Sequence, residues 1–213
     1  MEPGRIIDAA LAIVEAEGAE ALSMRTLAQR LSSGTATLYR HFADRAELVS
    51  QVVDRVLEEA VQAAGDLKGR RWDEACRRHA NAVFDALRRH RYVASLLVDR
   101  VPNGPSAMAL REVGLTALLA DGFSPQLAAR SYTTVAHYVI GFAVQANNET
   151  DASRTNRTRI NKFRSAAARS QFPATAAVAP SLSVPIEEEF SFGLELILLG
   201  LADVRKRERK GRR

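Results

Sequence analysis

Apolar residues recur every three to four positions along most of the chain and almost nowhere alternate, so the pattern predicts helices nearly throughout. Ile6, Ala10, Ile13 and Val14 make one stripe on a first helix from Arg5 to Glu17, with Pro3 near its opening turn and Gly18 just past its end. Leu27 and Leu31 share a face on the next helix, which Ser23 is placed to cap. Ser32-Ser33-Gly34 then breaks the run, with Gly34 the residue expected to take a positive φ. A third helix is predicted from Thr35 to Phe42, with Leu38 and Phe42 turned inward. Asp44 caps a long fourth helix reaching Leu67, with Leu48, Val52, Val56 and Val61 inward. Further helices are predicted over Trp72 to Arg91, Tyr92 to Asp99, Ser106 to Asp121, Ser124 to Glu149, Arg157 to Arg169 and Ile186 to Val204. The last is apolar nearly all round: Phe190, Leu194, Ile197, Leu198 and Leu201 form one stripe, Phe192, Leu196 and Leu199 a second. Such a helix wants a partner beyond its own chain. Paired with the Ser124 to Glu149 helix from two subunits, it would build the four-helix interface of a homodimer.

With Leu38 and Phe42 buried, a step of about 100° per residue turns Ala36, Thr37 and Arg40 outward and leaves Tyr39 and His41 on the flanks. That set suits a helix pressed into a DNA major groove. Arginine forks onto guanine and threonine meets a base edge or the thymine methyl, while Tyr39 and His41 reach phosphates. The plainer reading is a small helical subdomain with a polar outer face, since many helical hairpins share this pattern.

Ala, Leu, Arg and Glu dominate the 213 residues, and 46 % are hydrophobic, enough for a real core; the fold class expected is all-α. Residues 1–50 read as a three-helix helix-turn-helix domain, 51–205 as a helical ligand-binding and dimerisation domain, and 206–213 as a disordered basic tail, with the boundary inside the long fourth helix. The net charge is +5 and the isoelectric point about 9.8, but the distribution matters more than the sum. Residues 22–45 carry Arg25, Arg30, Arg40 and Arg45 against Asp44 alone, a local patch of the kind phosphates attract. Two other basic runs, 151–172 and 205–213, read as a mobile loop and a frayed tail. Cys76 is the only cysteine, which excludes an internal disulfide or a Cys-rich zinc site and fits a reducing cytoplasm. No apolar run approaches the ~20 residues that span a bilayer.

The Trp72 to Arg91 helix places His79 on its apolar face, three residues after Cys76. Three readings stand: a polar group inside a ligand cavity, a Cys/His nucleophile pair, and a core histidine bonded to a neighbour. The Ser124 to Glu149 helix mixes Tyr132, His137 and Tyr138 with Val135, Ile140 and Phe142. It either lines a cavity on one side and a partner helix on the other, or is an ordinary buried helix. Phosphate loops, zinc-protease and serine-hydrolase signatures are absent, so neither an enzyme nor a metal or other cofactor is expected.

The segment L-A-Q-R-L…T-L-Y-R-H-F-A-D-R-A-E-L resembles the Tet repressor (TetR) family of DNA-binding regulators. The resemblance covers Arg5 to Val53 and returns in D-G-F-S-P (121–125), A-H-Y-V-I-G-F (136–142) and F-S-F-G-L-E-L-I-L-L-G-L (190–201). It implies that Arg25, Thr35, Thr37 and Arg40 contact bases, with Ala36 on the same outward face, and that Ser23, Tyr39, His41 and Arg45 contact phosphates. It implies that His79 and Val83 line an inducer pocket, to which His137 and Tyr138 of the Ser124 to Glu149 helix are added. The function implied is a sequence-specific repressor released from a palindromic double-stranded operator by a small-molecule inducer. The rivals are a helical interaction dimer without an operator and an enzyme using Cys76 and His79. Two departures stand out. The family's histidine that holds drug-bound magnesium falls on Leu97, so no metal site carries over. The family's turn is Gly, an aliphatic residue, then Ser; here it is Ser32, Ser33, Gly34, which is expected to loosen the packing of the recognition helix.

Overall fold

The structure is a computed structural model that describes residues 1–98, 101–150, 172–182 and 184–211. It is all-helical, with no strand among the described residues. The helices are α1 (Pro3–Glu17), α2 (Met24–Arg30), α3 (Thr35–Tyr39), α4 (Arg45–Ala64), α5 (Trp72–Arg89), α6 (Pro105–Ala120), α7 (Pro125–Thr150), α8 (Pro173–Val178) and α9 (Ile186–Gly211), with short 3-10 turns at Ala19–Ala21, Ala94–Leu97 and Ala179–Ser181. The helix expected over Arg157 to Arg169 lies outside the described residues. No helix among them is long and apolar enough to cross a membrane.

Ile6, Ile13, Val14, Leu22, Leu27 and Leu38 are fully buried and form a core under α1 to α3. That core continues along α4 through Leu48, Val49, Val52 and Val56, so α4 belongs to both ends of the molecule. Farther along, α4 packs on α5 and α6, and α7 covers α5 and α6. Each fully buried leucine or valine removes enough apolar surface to contribute about 1.5–3 kcal/mol.

Three contacts fix the arrangement. Asp54 of α4, a buried carboxylate, accepts from the Ser106 and Ala107 amides at 3.1 and 3.0 Å and so caps the start of α6 from a distance. Gly104 is required there, because a Cβ would sit 2.3 Å from Asp54 Oδ1. Phe190 of α9 stacks on Phe84 of α5 with centroids 3.9 Å apart. The C-terminal half of α9 closes over the α6–α7 corner. There Arg205 pairs with Asp121 and lies over the rings of Trp72 and Phe123, and Glu208 accepts from the Ser124 hydroxyl at 2.5 Å.

Within the tail expected to be disordered at 206–213, α9 stays helical through the described residues to Gly211. Arg205 and Glu208 find partners on the body, and the basic residues of the last turn, Arg209 and Lys210, complement the helix dipole. On the opposite side of α9, Phe192, Leu196 and Leu199 are 67, 54 and 68 % exposed, the unpartnered second stripe.

Candidate nucleic-acid interface and cavity

The α2–α3 turn is built differently from the expectation. The Ser33 amide donates to the Ala28 carbonyl at 2.9 Å and the Ser32 amide to the Gln29 carbonyl at 3.1 Å, the paired bonds of a Schellman ending. That motif needs a left-handed residue one place beyond the cap. The cap is Leu31, so the strain falls on Ser32, at φ 49°. Gly34 has φ −83° and serves as the N-cap of α3. The Ser33 hydroxyl is buried with no hydrogen-bond partner.

The recognition segment is shorter than expected, since α3 ends at Tyr39. Both the His41 and Phe42 amides donate to the Leu38 carbonyl, which tightens the last turn and swings Phe42 into the core. Leu38 is fully buried and Phe42 is 3 % exposed. With these two anchored, Thr35, Ala36, Tyr39 and Arg40 are exposed and Thr37 and His41 half-buried. Arg25, at the second position of α2, is also exposed. Neither Arg25 nor Arg40 has a carboxylate or hydrogen-bond partner among the described residues. Ser23 caps α2, accepting from the Thr26 amide at 3.0 Å.

Arg45 stands apart from this set. Its Nε donates to the Leu22 carbonyl at 2.6 Å and Nη2 to the Ala19 carbonyl at 3.1 Å. The residue expected to contact phosphate is also a staple: the guanidinium holds the α1–α2 connection against the start of α4. Beside it, Asp44 accepts from the Glu47 amide at 2.8 Å while Glu47 accepts from the Ala43 amide at 2.7 Å, a reciprocal cap on α4.

Between α5, α6 and α7 lies a cavity of about 740 Å³. His79 and Val83 face it from α5, Arg111 and Gly114 from α6, His137 and Tyr132 from α7. Its size suits a drug-sized ligand. Gly114 makes room, since a Cβ would lie 3.1 Å from the Tyr132 ring, which meets His79 edge-on at 6.0 Å. Burial lowers the His79 pKa to about 4, so the imidazole is neutral, and its Nδ1 has no hydrogen-bond partner. Burial raises the Tyr132 phenol and the charge of Arg111 opposes that rise. His137 reaches the cavity from an exposed rim position.

Tyr138 is corrected. One residue on from His137, it is rotated about 100° away. Its hydroxyl donates to the Phe190 carbonyl at 2.7 Å, and its ring packs on Phe142 and Phe190 at 4.7 and 5.4 Å. It ties α7 to α9, where Gly193 leaves it space, and does not line the cavity. The chemistry of Cys76 and His79 also runs against a nucleophile pair. Burial pushes the thiol up to about 12 and the imidazole down to about 4, the reverse of what a thiolate needs. Sequence reasoning missed Arg111, which carried no periodic or motif signal, and Asp54, whose partners lie 52 and 53 residues away.

A helix-turn-helix at the N-terminus, joined by one shared helix to a cavity-bearing helical body, is the architecture of a one-component bacterial regulator. The chain belongs to the TetR family. The model for bacterial regulatory proteins of the tetR family matches residues 6–52, and the tetracyclin repressor-like C-terminal domain matches residues 65–205. It is therefore a DNA-binding regulator of transcription and not an enzyme. Among curated relatives it is 30 % identical to the HTH-type transcriptional repressor DrrR1 of Streptomyces coeruleorubidus, over 97 % of this chain and 79 % of that protein. Among solved structures it is similar to apo ActR from Streptomyces coelicolor, with 32 % identity, a TM-score of 0.85 and coverage of 98 % of this chain and 99 % of that one. It is also similar to ActR in complex with actinorhodin, with 31 % identity, a TM-score of 0.84 and coverage of 96 and 98 %.

Proposed function

We propose that the chain is a homodimeric repressor that holds a palindromic operator with the α2–α3 face of each subunit and lets go when a small molecule fills the α5–α7 cavity. Residues 1–50 are the DNA-binding unit and 51–211 the effector and dimerisation unit. Arg25, Thr35, Ala36, Thr37 and Arg40 read bases, and Tyr39, His41 and the Ser23 cap contact phosphates. The observation that carries this reading is the outer face of α3 and its C-cap, which presents Arg40 exposed and, among the described residues, unpaired while Leu38 and Phe42 anchor the inner side. A dimer then sets two such segments about 34–36 Å apart, one turn of duplex. The exposed apolar stripe of α9 supplies the subunit contact.

Release follows the bonded path from cavity to DNA face. A ligand against Arg111 and Gly114 moves α6; Asp54 ties the start of α6 to α4; Arg45 ties the start of α4 to the α1–α2 connection. Coupling of about 1–3 kcal/mol per ligand is typical and must be reciprocal. The complexes of ActR with actinorhodin and with (S)-DNPA support a small-molecule effector for this chain too.

The test is a titration of the inverted repeat upstream of the gene, against a scrambled duplex, with wild type and Arg40→Ala. The variant is expected to lose about 1–3 kcal/mol on the repeat and little on the scrambled duplex. Equal affinity of both proteins for the repeat would overturn the base-reading role.

A further inference from the structure

Three polar groups on the cavity wall keep hydrogen-bonding capacity unused among the described residues. Arg111 is half-buried, donating only to the Pro102 carbonyl and to the Met108 sulfur, and it has no carboxylate partner among the described residues. Neither ring nitrogen of His79 is hydrogen-bonded among them, and Nδ1 is sealed from solvent. The Tyr132 hydroxyl is likewise without a bond. The rest of the described lining is apolar save Thr133, His137 and Cys76, and it contains no Asp or Glu. A guanidinium on such a wall, with three or more donors spare, is a one-sided charge waiting for its counter-ion.

The geometry points to an acidic effector: a largely apolar molecule carrying one ionised carboxylate or phenolate, which pairs with Arg111 while its body lies along the wall that His79 and Tyr132 line. This rests on the cavity being the effector site. Arg111 sits on α6, beyond the turn that Asp54 caps, so the charge that recognises the ligand is on the helix tied to α4. A charge-assisted bond is stronger than a neutral one and geometrically selective. Neutral analogues of the same shape would fill the cavity with little of this gain.

Calorimetric titration of the full chain at neutral pH with anthracenecarboxylate and with the matched alcohol, anthracenemethanol, tests both layers. Wild type is expected to prefer the carboxylate by at least about tenfold. Arg111→Met should bind the two probes alike, with a thermal melt showing that the variant is folded, and Arg111→Lys should recover part of the preference. Val83→Trp, which narrows the cavity beside His79, should bind both more weakly. No acid preference in wild type, or a preference that survives in Arg111→Met, overturns the acidic-effector inference alone. Undiminished binding of both probes to Val83→Trp overturns the cavity as the site, and so does failure of wild type to bind either.

Discussion

Single residues already show where this chain departs from a well-fitted turn. Ser32 holds a left-handed φ that costs a side-chain-bearing residue about 1–2 kcal/mol, and Ser33 buries a hydroxyl with no partner. The second defect is the easier to remove. Ser33→Ala deletes the stranded oxygen without adding bulk and is expected to stabilise the fold by about 1 kcal/mol. That corresponds to a rise in Tm of about 2–4 °C for a chain of this size, read by calorimetry. At the other end, His79 makes stability pH-dependent in a defined direction. Its folded pKa is about 4 against an ordinary 6.5. Above 6.5 both states are neutral and nothing changes. As pH falls from 6.5 towards 4 the unfolded chain takes up a proton that the folded one refuses. Stability is lost by about 1.4 kcal/mol per unit, roughly 3 kcal/mol in all. Urea midpoints across that window should fall more steeply in wild type than in His79→Gln, and parallel curves would show that the imidazole titrates freely.

Among the elements, α4 is the piece through which every other must act. It shares a core with α1 and packs on α5 and α6. Polar contacts join it to its neighbours at both ends: Arg45 beside the α1–α2 connection, Asp54 at the start of α6, and Glu59, which with Glu15 of α1 flanks His90 after α5. Asp54→Ala strands two amides and removes the long-range cap. The loss expected is about 2–3 kcal/mol of stability. More tellingly, the effector should then dissociate the operator complex less well, since α6 would move without drawing α4 along. Effector-induced release, measured by fluorescence anisotropy in the folded fraction, separates the two effects. Unimpaired release in Asp54→Ala would mean that the coupling runs elsewhere.

For the whole molecule, the decisive surface is the outer stripe of α9. Three large apolar side chains more than half exposed on one helix form a patch that solution monomers seldom tolerate. Phe192→Glu with Leu199→Glu should leave the subunit folded, because the buried stripe of Phe190, Leu194 and Leu198 is untouched. Sedimentation should then show a monomer, and binding to the inverted repeat should weaken far more than binding to a half-site. A dimer persisting in the double variant would place the interface on another face.

Periodicity alone laid out most of the helices, the inward anchors Leu38 and Phe42, the outward Arg40 and the two stripes of α9, because these follow from short-range spacing and burial; the stretch expected as a helix from Tyr92 to Asp99 holds only the 3-10 turn Ala94–Leu97, and α8 carried no such signal. Ser23 and Asp44 were equally legible, since a cap acts within three residues. What escaped were the interactions that join distant positions. Arg45 reads as a spare cation until the Leu22 carbonyl is placed beside it. The basic end of α9 reads as a frayed tail until Asp121 and Ser124 meet it. Tyr138 and His137 look alike in a row of letters, and only the packing of α9 on α7 sends one to Phe190 and the other to the cavity. The cavity belongs to no single stretch of chain: it exists because three helices fail to fill the space between them.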